Sequence, residues 1–466
     1  MSEACTVGLD IGSTFVKAVL VGAGGAEVAT ARRPTPWTGS GGYAEMTGPT
    51  LLGTVTGVLV DLARDVDLPG PVVAIGVSGM AEAGALLDAA DEARGPVIAW
   101  FDRRGAEELP LLPDDLHRDF PGRTGLPLVE LATFAKLWHR IRTEDLDLTG
   151  LQWHNVPELV VRWLGGGRYA EPSLAARTGL LDQDTGAVWP RAVEVLGTTA
   201  DLVPPLLAAG SVWGHATARV PPAMAGAVLT VAGHDHLVSG VASGIVDPDT
   251  MYDSMGTAEA LIRVLDGVLD RDARARLAAH GVNVLRHLLP GRGVMLAATK
   301  SGLLMRRVLQ LVGVHDAGGR AALDEQVMLL PDDPTGVAVT GAKNNDGVLA
   351  IRADADGLSP AVLFEASLRH GCQVLEEVLA VMDAEHPPAT RSVLAGGWVA
   401  MSSVRRSRQR LLPDVRFSER AEDTAYGAAL IAAFAADPTA DDLASYLSHA
   451  STAPSVGRRH RLEPPS

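Results

Sequence analysis

The chain has 466 residues, 47% hydrophobic and 21% charged, with a formal net charge of −16. That length exceeds what one core ordinarily holds, so two large domains with a cleft between them are expected, while the acidic balance argues against nucleic acid as a partner. No apolar run approaches the roughly 18 residues of a membrane span, no basic and then apolar leader opens the chain, and Cys5 and Cys372 suit a reducing cytoplasm as small buried hydrophobes.

In chain order, strand patterns at Thr6 to Gly12, Phe15 to Val21 and Glu27 to Arg33 precede a helical stretch from Thr50 to Val66 and a further strand from Val72 to Val77. Residues 114–222 are irregular and rich in tryptophan, reading as insertions that decorate the first domain. After Asp247-Pro-Asp249, where the periodicity breaks, strands are expected at Thr250 to Ser254, Ala258 to Val264 and Val294 to Ala298. Helices are expected at Gly302 to Val312 and Pro360 to Asp383. The division is therefore 1–246, 247–447 and a tail, 448–466, expected to fray.

The first hairpin carries the strongest chemical signal. Gly12 permits a sharp turn, Ser13 and Thr14 offer hydroxyls and N–H groups at its tip, and Asp10 can hold a hydrated Mg²⁺ beside them. An ordinary hairpin with Asp10 capping its own turn is the plainer reading. Asp235 follows the apolar run Ala227 to Ala232 and so falls at a strand end, where sites of open α/β sheets gather. His234 and His236 flank it; an extended backbone would put both histidines on one side and Asp235 on the other, which makes a His-Asp-His metal site awkward. Gly396 and Gly397 end the strand-like run Ser392 to Ala395 and open a helix, allowing close approach of a nucleotide. The basic run from Arg405 to Arg410 reads as a solvated helix face.

Other chemistries lack their marks. None of the four lysines stands in a G-x-x-x-x-G-K-[ST] loop, Ser78 fails the G-x-S-x-G elbow at its last position, and no G-x-G-x-x-G opens a helix after the first strand.

The Thr6 to Leu20 hairpin, Leu229-Thr-Val-Ala-Gly-His-Asp-His236, Ser254-Met-Gly-Thr-Ala258 and Leu394-Ala-Gly-Gly-Trp398, in that order and spacing, resemble the FGGY family of carbohydrate kinases from about Val7 to Ala433. The resemblance implies an α/β fold of two actin-like, ribonuclease-H-type domains facing across a cleft. It also implies ATP- and Mg²⁺-dependent phosphorylation of a small ketose, polyol or sugar acid in the cytoplasm, with a homodimer left open. On that pattern Asp10 is the metal ligand and Gly12, Ser13, Thr14, Gly256, Thr257, Gly396 and Gly397 receive the nucleotide. Asp235 is the general base and His236 contacts the sugar, while His234 packs or hydrogen-bonds.

Val77-Ser-Gly-Met-Ala-Glu-Ala83 resembles the family's first sugar loop, but Met80 stands where relatives often have Gln, leaving Glu82 as the polar candidate unless it is merely solvated. Trp100-Phe-Asp-Arg-Arg104 resembles the motif bordering the sugar pocket, where Asp102 and Arg103 bind hydroxyls or else only each other. Glu422 and Gly427 match the family's closing helix, although the stretch Gln409 to Phe417 before it is abbreviated. A nucleotide-binding or sugar-binding sensor that transfers no phosphate is the rival.

Overall fold

The computed structural model describes residues 4–64, 70–256, 258–331, 336–341, 348–418, 420 and 422–451. In the first half, β1 (Cys5–Ile11), β2 (Phe15–Val21) and β3 (Glu27–Pro34) form an antiparallel meander, followed by helix α1 (Gly48–Arg64) and strand β4 (Val72–Gly79). The short β5 (Gly214–His215) and the longer β6 (Val228–His234) complete the sheet in the order β5-β6-β4-β1-β2-β3. Every residue of β1 is buried, as its continuous apolar run requires of a central strand, whereas β3 alternates between half-buried and exposed positions at the edge. Leu51, Val55, Val58, Leu59 and Leu62 form the buried stripe of α1.

The second half repeats this plan. Strands β7 (Thr250–Met255), β8 (Glu259–Leu265), β9 (Asn283–Arg286) and β10 (Gly293–Thr299) are followed by β11 (Arg391–Ala395) and β12 (Val415–Phe417) in a sheet ordered β9-β10-β8-β7-β11-β12. In each sheet the first strand pairs antiparallel with the second and parallel with a later one; β1 does so with β2 and β4, β7 with β8 and β11. The expected pair of similar α/β halves is thus present, each a three-strand meander continued by parallel strands.

Helix α2 (Pro172–Ala176) packs beside β6, which runs directly into α3 (Asp235–Ala242). Helices α4 (Ser301–Leu311), α5 (Pro360–Asp383) and α6 (Ser402–Leu411) belong to the second half. Helix α7 (Asp423–Ala436), which a division at Asp247 assigns to the second half, lies on the first sheet instead, against β1, β4 and α3. It lies so close that a Cβ at Gly8 or Gly76 would run into the carbonyl oxygens of Ala425 and Ala428. Tyr252 of β7 meets Ser239 of α3, and one hydrophobic cluster joins Val238, Ala428, Tyr252 and Ile262. The two sheets are thereby joined through α3 and α7.

Four further expectations are revised. Residues 114–222 are more regular than their sequence suggests, with helices at Asp114–Thr124, Thr133–Glu144 and Val156–Leu164. The run from Arg405 to Arg410 is a solvated face only in part: Arg405, Gln409 and Arg410 are exposed, but Arg406 pairs with Glu365 and Arg408, 1% exposed, pairs with Glu259. Cys5 is buried, but Cys372 is only partly so, with Arg408 Nη1 at 3.1 Å from its sulfur. The tail expected to fray from Ser448 is still helical as far as Ser451, and residues 452–466 lie outside the described residues.

Candidate active site

Parallel pairing sets the two acidic motifs at one edge of the first sheet. Ser78 of β4 stands opposite Asp10 of β1 on one side and Gly233 of β6 on the other, and its hydroxyl donates to the Gly233 carbonyl at 3.0 Å. Asp10 and Asp235 therefore emerge from the carboxyl ends of strands flanking the same neighbour.

The turn after β1 is braced from behind. The Thr35 hydroxyl donates to Gly12 O at 2.6 Å, Trp37 Nε1 to Ser13 O at 2.8 Å, and the Thr35 N–H to Thr14 O at 2.9 Å. Trp100 Nε1 donates to Ser13 Oγ at 2.7 Å. Thr14 is exposed at the tip. The plainer reading, in which Asp10 caps this turn, does not describe its carboxylate: Oδ1 is buried without a hydrogen-bond partner. Burial pushes Asp10 up to about 7; Lys17 opposes that push, and Asp235 and Glu422 add to it. Lys17, opposite Asp10 in the β1–β2 ladder, forms an ion pair with Glu422 at 2.6 Å. An orphaned carboxylate oxygen in such a setting fits a divalent cation.

The histidine motif differs from its extended expectation. The strand ends at His234 and Asp235 is the first residue of α3, so the three side chains do not alternate. The rings of His234 and His236 meet edge to face at 5.4 Å, and His234 Nε2 is 3.2 Å from Asp235 Oδ1. Burial drives His234 down to about 3, so its imidazole is neutral. Burial also pushes the Asp235 carboxyl up, but His236, His234, the His236 N–H at 2.7 Å and Arg177 outweigh it and hold the group below the usual carboxylate value. Position at a helix N-terminus acts in the same direction. Among the described residues no three His, Cys, Asp or Glu side chains group as a metal cluster.

On the sugar side the residues separate. Glu82 is not solvated; it is 5% exposed, has a φ of 58° and forms an ion pair with Arg177, which the sequence offered no motif to find. Met80 is buried, its N–H donating to Ile11 O at 3.1 Å. Asp102 pairs not with Arg103 but with Arg104, whose Nε and Nη2 lie 2.9 and 2.8 Å from its two oxygens; the Ala44 N–H donates to it as well. Arg103 is exposed. Asp102 thus braces the loop that carries Trp100.

In the second half, Gly256 occupies the turn between β7 and β8. Its carbonyl accepts from Trp398 Nε1 at 3.1 Å, and a Cβ on Gly302, at the start of α4, would run into it. Gly396 has a φ of 94°, and a Cβ there would strike the Met255 carbonyl. Gly397 opens a 3₁₀ turn, Gly397–Ala400, before α6 begins. The two glycine motifs therefore lie together at one end of the second sheet, linked by Trp398 and joined by Gly302, which no sequence motif singled out. Thr257 lies outside the described residues.

Residues 5–241 match the model of the N-terminal domain of the FGGY family of carbohydrate kinases. The xylulose kinase of Escherichia coli strain K12 is 27% identical over 308 residues, a match that spans 63% of this chain and 60% of that protein. In fold, the chain resembles xylulose kinase from Rhodospirillum rubrum, with a TM-score of 0.84 at 22% identity over 95% of this chain and 92% of that one. It resembles Plasmodium falciparum glycerol kinase with ADP to a similar degree, with a TM-score of 0.83 at 15% identity over 96% and 92%. These structural likenesses establish the fold, two sheet-bearing halves included.

Proposed function

The chain belongs to the FGGY family of carbohydrate kinases, and from that premise we propose that it transfers the γ-phosphoryl group of ATP to a hydroxyl of a small ketose, polyol or sugar acid, with Asp235 as general base. One observation carries the reading: two carboxyls of opposite character share one sheet edge. Asp235 is held ionised by its neighbours, as a proton acceptor must be, while Asp10 keeps a buried oxygen without a partner.

In this mechanism the sugar hydroxyl lies against Asp235, which takes its proton as the oxygen attacks phosphorus. His234 packs beside Asp235, with Nε2 3.2 Å from Oδ1, the His236 N–H donates to the same oxygen and orients it, and His236 and Glu82 border the sugar. Gly12, Ser13 and Thr14 receive the β- and γ-phosphates from one half, Gly256 and Thr257 from the other, and Gly396 and Gly397 let the adenosine approach the backbone. Asp10 would hold Mg²⁺, which when bound neutralises charge on the phosphates. Asp102, held by Arg104 and the Ala44 N–H, acts on the pocket through the loop it braces, while Arg103, exposed on that loop, borders the sugar. Cys5 and Cys372, neither of them in a disulfide, suit the reducing cytoplasm where we place the reaction.

The test is sugar-dependent ADP release from MgATP across ketopentoses, ketohexoses, tetritols, glycerol and aldonates. Release with one class of acceptor supports the reading. A silent panel from protein that still binds ATP overturns it in favour of a sensor.

A further inference from the structure

Arg177 comes directly after α2, and its neighbourhood is assembled from loops that border Asp235. Ser173, in the same helix, accepts from the His234 N–H at 3.1 Å, and Glu82 lies just beyond Met80, which is anchored to Ile11. One guanidinium nitrogen, Nη2, is engaged by Glu82, whereas Nε and Nη1 are buried without any hydrogen-bond partner. Buried donors in folded proteins are almost always satisfied, and this guanidinium presents two unmet donors, Nε–H on the edge it shares with Nη2 and Nη1 on the opposite side. Glu82 holds the guanidinium from a left-handed backbone conformation, a type of strain that gathers at binding sites. Arg177 is also among the charges that act on both Asp235 and His234, which places the guanidinium beside the candidate base.

The surrounding charges bear on what those donors hold. Glu82 already matches the guanidinium, Asp235 adds a second carboxylate, and His234 is neutral. Lys136, the other cation close to Glu82, directs its ammonium to the carbonyls of Trp100, Glu130 and Leu131 at 3.2, 3.1 and 2.7 Å, and its charge is offset by the nearby Glu130 carboxylate. A substrate carboxylate would therefore meet excess negative charge, whereas hydroxyl groups find donors in Arg177 and acceptors in Glu82 and Asp235.

We infer that Arg177 is a specificity-determining residue of the sugar site, an unpartnered Nε or Nη1 donating to a hydroxyl oxygen of a neutral polyhydroxyl substrate; the inference rests on the sugar-phosphorylating reading above. It narrows that reading from ketose, polyol or sugar acid to the uncharged classes.

The experiment is calorimetric titration of the full chain with glycerol, erythritol, D-ribulose, D-xylulose and D-gluconate, run beside ADP release from MgATP. Wild type is compared with Arg177→Lys and with Arg177→Met combined with Glu82→Gln, which avoids stranding a buried carboxylate. A neutral compound should bind more tightly than D-gluconate, and both variants should weaken it roughly 10–100-fold while MgATP binding is unchanged. The decisive readout is a set of single-deoxy analogues of the tightest binder. Wild type should lose a similar factor when the contacted hydroxyl is missing, and the variants should scarcely distinguish parent from analogue. Tighter binding of D-gluconate, no binding of any neutral compound, or an unchanged ratio of parent to analogue in the variants would each overturn the inference. Neutral binding that depends on Arg177 without ADP release would uphold it and refute phosphoryl transfer instead.

Discussion

Trp100 donates its indole N–H to the Ser13 hydroxyl at 2.7 Å, so the loop braced by Asp102 and the turn beside Asp10 share a hydrogen bond. Edge-to-face contacts from Phe101 to Trp100 and Trp37, with ring centroids 5.5 and 5.8 Å apart, stiffen the same junction. The two candidate substrate sites are thus in mechanical contact before either substrate arrives. Trp100→Phe keeps an aromatic ring there but removes the donor. Losing one such bond, worth about 1 kcal/mol, should raise the KM for MgATP about fivefold at saturating sugar. Steady-state kinetics that left the KM for MgATP unchanged would show that the bond does not position the turn.

Asp235→Asn removes the proton acceptor while keeping the shape of the side chain. Turnover should fall about 10²–10⁴-fold with nucleotide affinity preserved, as measured by ADP release and by titration with a non-hydrolysable ATP analogue. Because its neighbours hold the Asp235 carboxyl below its ordinary value of 3.8, the base itself should impose no acid limb on turnover above about pH 5. A variant with near-wild-type turnover would remove Asp235 from the mechanism.

Much of the architecture was legible in the sequence because strand periodicity and glycine turns are local properties. The expected strand Phe15 to Val21 and helix Pro360 to Asp383 coincide with the observed elements, and the glycine turns at Gly256 and Gly396 do lie together. Partnerships were less legible, since they depend on which distant side chain arrives. Asp102 chose Arg104 because the chain turns back on itself there, bringing Nε and the backbone N–H of Arg104 to one oxygen. Glu82 found Arg177 across 95 positions of sequence through tertiary packing alone. Arg408 looked like a surface cation, yet it is buried with Glu259, because charge in a sequence does not reveal a buried counter-charge. His234 and Asp235 were misjudged for a local reason: a strand changes to a helix between them, and the period changes with it.

Glu171 should make stability depend on pH. It is fully buried beneath β6, with Oε2 accepting from Ser173 Oγ at 2.5 Å and from the Leu174 N–H, and with Oε1 lacking a partner. Burial pushes its carboxyl from 4.5 up to about 7. Between those values the folded chain holds a proton that the unfolded chain has released, so this group's contribution is complete below about pH 4.5 and declines as pH rises to about 7. The loss is on the order of 3 kcal/mol over that window. Glu171→Gln, neutral throughout, should flatten the decline and raise the Tm above pH 7. Parallel melting profiles of wild type and variant from pH 5 to 8 would count against a buried, protonated Glu171.

The close seat of α7 on the first sheet makes Gly8 and Gly76 structural requirements, and it connects them to the site. A methyl group at Gly8 would overlap the Ala425 carbonyl, and one at Gly76 that of Ala428, with backbone on both sides and no flexible side chain to yield. The helix must then lift from β1 and β4. Gly8→Ala and Gly76→Ala should each be destabilising by roughly 1–3 kcal/mol or more, the usual range for overpacking. Gly24→Ala, which has nothing within 4 Å of the added carbon, should change stability by less than about 0.5 kcal/mol. Lifting α7 also draws Glu422, immediately before its first residue, away from Lys17 and so alters the charges around Asp10. If α7 is coupled to the site in this way, Gly8→Ala should weaken MgATP binding even at temperatures where the variant remains folded. Unfolding curves together with nucleotide titration at one low temperature would separate that effect from simple loss of folded protein.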